Sequence, residues 1–411
     1  MAEAEVLEET GSGAGQQAAV DLLIGVTGAV SLDELRIRVS EVLAQAGRPG
    51  PGRVVVAWPG GEDATPVEPR DGFELIPYRV PPVNDGGAWA QISAAQRGVL
   101  ALAAELKAAA CLVLAADLEA LHGEAVQTMA GAVLGRQCDL ALPVYALTRY
   151  EGLLNTAILA PMSRALYARR VEFPLPFEFA ASARYVECVA HSHGANAQGV
   201  LWPLSHAVQE PMPRNAGVCQ VHLRAHHHAP MEGLDLTAVL SQIVGALFTE
   251  VELTASSWQR LRGSQPATVW GEPHAPVMPE EPVDAREMVE SFQLAARNLG
   301  ELWSLVLPPV ALLELKRLAR QPVESFRMPD ALWARMVYDF ALAHRLRTMG
   351  RSHLMGALTP LYLGWVASYV QEIALLPAAE VAERQERLAR AFEENKPYLV
   401  SRWRWPDRFN P

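Results

Sequence analysis

Three consecutive histidines, His226, His227 and His228, follow His222 by four residues in the stretch Val218–His228. If the stretch is a strand, Cys219, Val221, Leu223 and Ala225 form one apolar face, and His222, Arg224, His226 and His228 project from the other. Neutral imidazoles suit a divalent cation, and a carboxylate from elsewhere would complete such a site. The alternative is a solvated, partly charged strand end, which is the reading adopted for His222 and His227. Asp117 follows the apolar run Cys111–Leu114, where a carboxylate can hold a cation that neutralises a diphosphate. It is equally placed to cap a helix beginning at Leu118. Glu178 lies between Phe177 and Phe179 and reads as a general base or an acceptor of sugar hydroxyls. Pairing with Arg169 or Arg170 is the competing role. His191-Ser192-His193 reads as a solvated loop. Arg402-Trp403-Arg404-Trp405 reads as a patch packed on its own helices.

Those side chains need a scaffold, and the hydrophobic pattern outlines one. Leu22–Val26, Val54–Ala57 and Cys111–Leu114 are continuous apolar runs separated by helical stretches near 32–46 and 88–110. Ser31 and Glu34 occupy capping-box positions before the first of those helices. Continuous apolar strands alternating with helices require a parallel sheet covered on both faces. Ligands in such folds bind beyond the carboxyl ends of the strands, here Thr27-Gly28, Pro59–Asp63 and Ala115–Asp117. Residues 1–18 are nearly free of bulky apolar side chains and read as a disordered tail. Residues 19–255 form the α/β domain, 256–283 a Pro-rich linker, and 284–411 a helical domain with capped, amphipathic segments.

The chain has 411 residues, half of them hydrophobic, which is ample for two or three domains with buried cores. Asp and Glu outnumber Lys and Arg by 46 to 35, a net charge of −11, so nucleic acid is not expected as a partner. The four cysteines, Cys111, Cys138, Cys188 and Cys219, form no C-x-x-C pair, and we read them as unpaired thiols of a reducing cytoplasm. No signal peptide is visible, and the uncharged stretch Leu354–Gln371 reads as a buried helix rather than a membrane span. Walker, dinucleotide, G-x-S-x-G and H-E-x-x-H motifs are absent.

Several blocks together resemble a known family. Ala115-Ala116-Asp117-Leu118, Cys138–Tyr145, Arg149–Asn155 with Ala160–Tyr167, Pro174–Phe179 and Ala225–His228 are similar to segments of GT-A-type nucleotide-sugar glycosyltransferases. The resemblance is to bacterial mannosylglycerate and glucosylglycerate synthase-like enzymes carrying a helical C-terminal extension. It implies a GT-A fold, Rossmann-like with a mostly parallel sheet, and metal-assisted transfer of a sugar from a nucleotide-diphosphate donor to a small glycerate-type acceptor. Asp117 and His228 would hold Mn²⁺ or Mg²⁺. Gly60, Gly61, Asp117, Tyr150, Glu151 and Asn155 would bind donor or acceptor, and Glu178 would contact the reacting sugar. The pattern is also degenerate. Ala115 replaces the first aspartate of the metal motif, Pro59 the nucleobase aspartate, Asn84–Ala88 a lysine segment, Glu178 an aspartate, and Gly199–Trp202 lacks an acidic residue. The alternative expectation is therefore an inactive glycosyltransferase-like binding or scaffolding protein. The apolar C-terminal helices are expected to offer a homodimer face.

Overall fold

The computed structural model of the chain describes residues 19–28, 31–46, 52–61, 65–70, 72–83, 87–115, 123–175, 177–191, 199–208, 217–223, 235–275 and 283–406. The first half alternates strands and helices: β1 (Val20–Val26), α1 (Leu32–Ala46), β2 (Arg53–Pro59), β3 (Val67–Arg70), β4 (Phe73–Tyr78), α2 (Ala88–Glu105) and β5 (Ala110–Leu114). Then come α3 (Gly123–Leu134), β6 (Leu140–Tyr145), α4 (Ala160–Tyr167), β7 (Arg169–Arg170), β8 (Phe179–Ser182), α5 (Ala183–His191), α6 (Trp202–Val208) and β9 (Val218–Leu223). The helix α7 (Leu236–Leu253), the short α8 (Ala255–Trp258), β10 (Gln265–Pro266) and β11 (Thr268–Trp270) complete this part.

Nine strands form one sheet in the order β11-β9-β6-β8-β5-β1-β2-β4-β3. The pairings β4–β2–β1–β5 and β6–β9–β11 are parallel, and β8 runs antiparallel between β5 and β6. Along β1, Leu22, Ile24 and Val26 join a core with α1 and α3, whereas Leu23 faces a second core with α2, α4 and α7. Helices on both faces are why these strands are apolar throughout rather than alternating. Gly25 has a specific task on the second face, because a Cβ there would meet a methyl of Val99 at 2.2 Å. Its bare backbone lets α2 lie against β1.

Two expectations about strands need correction. The stretch from Val218 was read as half solvated, but β9 lies between β6 and β11, so even Gln220 is buried and only His222 is partly open. β6 and β11 cover its edges and α3 packs on one face, so its polar face turns towards a cavity rather than open solvent. The cysteines were read as unpaired, but Cys138 and Cys219 are joined by a disulfide with Cα atoms 5.9 Å apart. They are 81 residues apart in sequence, and only the pairing of β6 with β9 makes them neighbours. Cys111 and Cys188 are free. The Pro-rich stretch contributes β11 to the main sheet and β10, which pairs with β7.

The C-terminal helices are α9 (Arg286–Asn298), α10 (Gly300–Val306), α11 (Pro309–Leu318), α12 (Asp330–Leu346), α13 (Arg351–Ile373) and α14 (Ala378–Arg404). The core on one face of the sheet continues without a break into them. As expected, Leu354–Gln371 falls in a buried helix, α13, which packs on α9 and α7. Among the described residues, α7 alone is long and apolar enough to cross a membrane by length and composition. In this structure it is a core helix packed on α13 and α12.

α7 carries a carboxyl with no solvent exposure, Glu250, which accepts from the Tyr167 hydroxyl at 2.6 Å and the Leu201 amide at 2.7 Å. Burial pushes its pKa up to about 7 from an ordinary value of 4.5. The protonated form is therefore favoured in the folded state. Its contribution to stability is complete below about pH 4.5 and is lost as pH rises through 7, a loss of roughly 3 kcal/mol. Glu250→Gln keeps an acceptor for the amide and should flatten this pH dependence. Chemical denaturation at pH 5 and pH 8 measures it. An undiminished fall in stability for the variant would refute the assignment.

Candidate active site

β6 ends at Tyr145, on the rim where the parallel strands present their carboxyl ends. The chain then turns through 146–152, aided by Gly152 at φ +60°, a left-handed conformation that side chains disfavour. Asn155–Leu159 form a π-helical turn leading directly into α4. Such turns displace side chains from helical register and recur at functional sites. Pro161 has no N–H to give the carbonyl of Ala157, and the indole of Trp333 on α12 donates to it instead at 2.9 Å. A helical-domain side chain thus completes the hydrogen bonding of the site's own helix.

Next to this turn is a cavity of about 610 Å³. Tyr145, Arg149, Glu151, Asn155, Glu172 and Gln220 line it from the α/β domain, and Val381, Ala382, Gln385 and Glu386 of α14 close the opposite wall. Two arginines tie those walls together. Arg149 donates to the carbonyls of Ile373 and Leu376 at 2.9 and 2.7 Å, just before α14. Arg164, only 5% exposed, contacts Glu386 at 2.7 Å and Glu393 at 2.6 Å. Each contact spans more than 200 residues of sequence, so no local pattern announces it.

The polar groups are held in specific ways. The Asn155 amide donates to the Glu172 carbonyl at 2.5 Å, and the Glu172 amide donates to the Gln220 side chain at 2.6 Å. Glu172 has an open side, yet enough protein surrounds its carboxyl to raise its pKa above the usual range, with His222 pulling it down. Glu151 accepts the Thr148 amide at 2.7 Å, which gives this predicted ligand-binding residue a capping role as well. The Tyr145 hydroxyl donates to Glu178, and its ring meets Phe173 edge-on with centroids 5.4 Å apart. Burial, and then the Glu178 charge, hold the Tyr145 pKa well above the usual phenol value.

The residues singled out from sequence therefore separate into groups. Glu151 and Asn155 line the cavity, and Glu178 sits beside it through Tyr145. Tyr150 is half-buried and packs against the core near this loop rather than lining the cavity. Gly60 and Gly61 follow β2, four strands from β6, or roughly 19 Å at the usual strand spacing. Gly60 donates its amide to Tyr78, and nothing lies within 4 Å of where a Cβ on Gly61 would be. Asp117 and His228 lie outside the described residues, as do His226, His227 and Asn84–Gly86. β5 and β9, which lead towards them, end on the same rim, three strand spacings or roughly 14 Å apart. Among the described residues no group of three or more His, Cys, Asp or Glu side chains could hold a metal ion. Gln220, Glu172, Arg164 and the α14 wall carried no functional signal of their own in the sequence. Arg402 and Trp403 do pack on their own helices, Arg402 against Asp339 and Trp403 beneath Arg345.

The segment Gly199–Trp202, which lacks the expected acidic residue, has a carboxyl beside it nonetheless. A Cβ on Gly199 would meet the Glu250 carboxyl at 2.2 Å, so the bare backbone lets α7 place that buried carboxyl against this segment.

No protein-family model and no curated protein matches the chain. Among solved structures it is similar to glucosyl-3-phosphoglycerate synthase from Mycobacterium tuberculosis in complex with Mn²⁺, UDP and glucosyl-3-phosphoglycerate. The identity is 18% over 57% of this chain and 79% of that one, with a TM-score of 0.36. The same enzyme with Mg²⁺ and UDP gives 16% identity over 57% and 78%, with a TM-score of 0.35. A mycobacterial protein gives 14% identity over 56% and 74%, with a TM-score of 0.36.

Proposed function

We propose that the chain is a divergent glycosyltransferase of GT-A type that moves a sugar from a nucleotide diphosphate to a small acceptor. The observation that carries this reading is the cavity at the carboxyl end of β6, with the Tyr145–Glu178 pair at its edge. The donor would lie along the rim from Gly60 and Gly61 towards β6, and the acceptor would enter the cavity lined by Glu151 and Asn155. Tyr150 would support the acceptor loop. Glu178 would accept a proton from the attacking hydroxyl, with Tyr145 fixing the orientation of its carboxylate. A divalent cation, Mn²⁺ or Mg²⁺, supplies charge neutralisation of the departing diphosphate when bound. Asp117 and His228 are its proposed ligands.

The second reading is a binding or scaffolding protein that keeps the architecture without the reaction. Ala115 at the end of β5, where the family resemblance expects an aspartate, favours it. Calorimetric titration of UDP- and GDP-sugars with and without Mn²⁺, alongside an assay for released nucleotide, separates the two. The first reading expects Mn²⁺-dependent binding that falls at least tenfold in His228→Ala. Absence of binding by every sugar nucleotide would sink it. We assign the reaction to the cytoplasm, although the Cys138–Cys219 bridge pulls towards an oxidising setting. Leu294, Leu305, Val310 and Leu313 on α9–α11 are exposed and form our candidate dimer face, which sedimentation would test.

A further inference from the structure

We propose that the cavity between the α/β domain and α14 receives an uncharged, hydroxyl-bearing molecule with an apolar side, such as a polyol or a glycoside, rather than a glycerate-type anion. This rests on the reading of the cavity as the acceptor site, and it departs from the acceptor class that the family resemblance implies.

The charges at the cavity are matched in number, and Arg149 and Arg164 are committed to the protein's own groups. Arg149, Arg164 and Arg170 line it, and so do Glu151, Glu172 and Glu386. Arg164 is held between Glu386 and Glu393, and drawing it towards a ligand anion would leave two carboxylates without their partner. Arg149 is spent on the two carbonyls before α14. Arg170 points its Nε at Ser264 at 3.0 Å. Phosphate and carboxylate recognition ordinarily relies on a guanidinium fork presented to the ligand, and here the buried fork already grips the protein's own carboxylates. An entering anion would also approach three glutamates.

One group asks for the opposite kind of partner. The Oδ1 of Asn155 is buried without a hydrogen-bond partner, on a residue only 8% exposed that lines the cavity. A buried acceptor left unpaired is destabilising, and a donor on a ligand that opens the cavity wall around this oxygen relieves it. A hydroxyl has such a proton, whereas an ionised phosphate or carboxylate offers only lone pairs. The Asn155 amide nitrogen is fixed on the Glu172 carbonyl, so the side chain is not free to turn its donor towards an anion.

The remaining wall is apolar. Leu147, Val171, Phe173, Ala267 and Val269 face Val381 and Ala382 of α14 across the cavity. Such surfaces suit the C–H face of a sugar ring or an alkyl group, and the volume of about 610 Å³ is in the range of small-molecule sites. Because α14 supplies one wall, the helical domain selects the ligand as well as bracing the fold. Ala382 sits at an exposed position of that wall, so enlarging it fills the cavity without disturbing a core.

The test uses the full chain and saturation-transfer NMR with glycerol, methyl α-D-glucoside, D-glycerate and 3-phosphoglycerate as probes. The expected result is binding of the uncharged probes, at least tenfold weaker in Ala382→Phe and in Asn155→Leu, and unchanged between 50 and 500 mM NaCl. Stronger binding of either anion, failure of both uncharged probes, or indifference to Ala382→Phe overturns the proposal. Melting temperatures of both variants control for misfolding, and Ala382→Phe carries the test if Asn155→Leu is unstable. A parallel assay with UDP-glucose and GDP-mannose separates the two levels. Transfer to 3-phosphoglycerate in preference to uncharged acceptors defeats this inference but upholds the transferase. Uncharged binding without turnover of any donor does the reverse.

Discussion

Glu178→Gln is expected to lower sugar transfer by about 10²–10⁴-fold while leaving the fold intact, the usual range for loss of a positioned general base. The amide still offers an oxygen to the Tyr145 hydroxyl, so the contact between β6 and the segment leading into β8 survives. What disappears is the capacity to take a proton. Tyr145→Phe separates positioning from chemistry. It removes the hydroxyl that stabilises the charged carboxylate, so it should move the acid limb of the pH–rate profile to higher pH and reduce the rate less than Glu178→Gln. Steady-state rates from pH 5 to 9, with melting temperatures as controls, measure both. Full activity in Glu178→Gln would remove Glu178 from the reaction.

Arg402→Met should give the largest loss of stability, about 3–5 kcal/mol, the range found when one partner of a buried ion pair is removed. Asp339 on α12 is 1% exposed and accepts from the Tyr398 hydroxyl at 2.9 Å and from Arg402 at 3.2 Å. Burial pushes its pKa up to about 6, against the pull of Arg402. Without Arg402 that pKa climbs further, so the folded state binds a proton that the unfolded chain releases. The penalty should accordingly be smaller at pH 5 than at pH 8, and urea unfolding at both values measures it. In Arg402→Met/Asp339→Leu, stability at pH 8 should recover, because neither charge remains buried. Equal stability of wild type and Arg402→Met at pH 8 would show that the pair does not act as described.

Much of the α/β scaffold was legible in the chain. The runs at 22–26, 54–57 and 111–114 coincide with β1, β2 and β5, and the helical spacing at 32–46 with α1. Those signals are local, since burial on two faces demands unbroken apolar residues whatever the neighbours are. β3 and β8 escaped because they have only four residues each, β4 because Glu74 and Pro77 interrupt its apolar run, and β8 is antiparallel in an otherwise parallel region. The alternation from Val218 overstated the exposure of β9, because polar spacing cannot show that β11 covers its outer edge. Of the candidate site, Glu151, Asn155 and Glu178 were found from the 149–155 and 174–179 segments, while Gln220, Glu172 and Arg164 were not.

The sequence by itself determined β1, β2, β5 and α1, and that polar side chains follow the ends of those strands, because each of those properties follows from neighbours a few residues apart. Tertiary structure alone decided that Arg149 and Arg164 reach across more than 200 residues to the helical domain. It also decided that Cys138 meets Cys219, and that α14 forms a wall of the cavity. Contacts of that kind depend on strand order and helix packing, whose free energy is shared over the whole core and leaves no mark on any single stretch of chain.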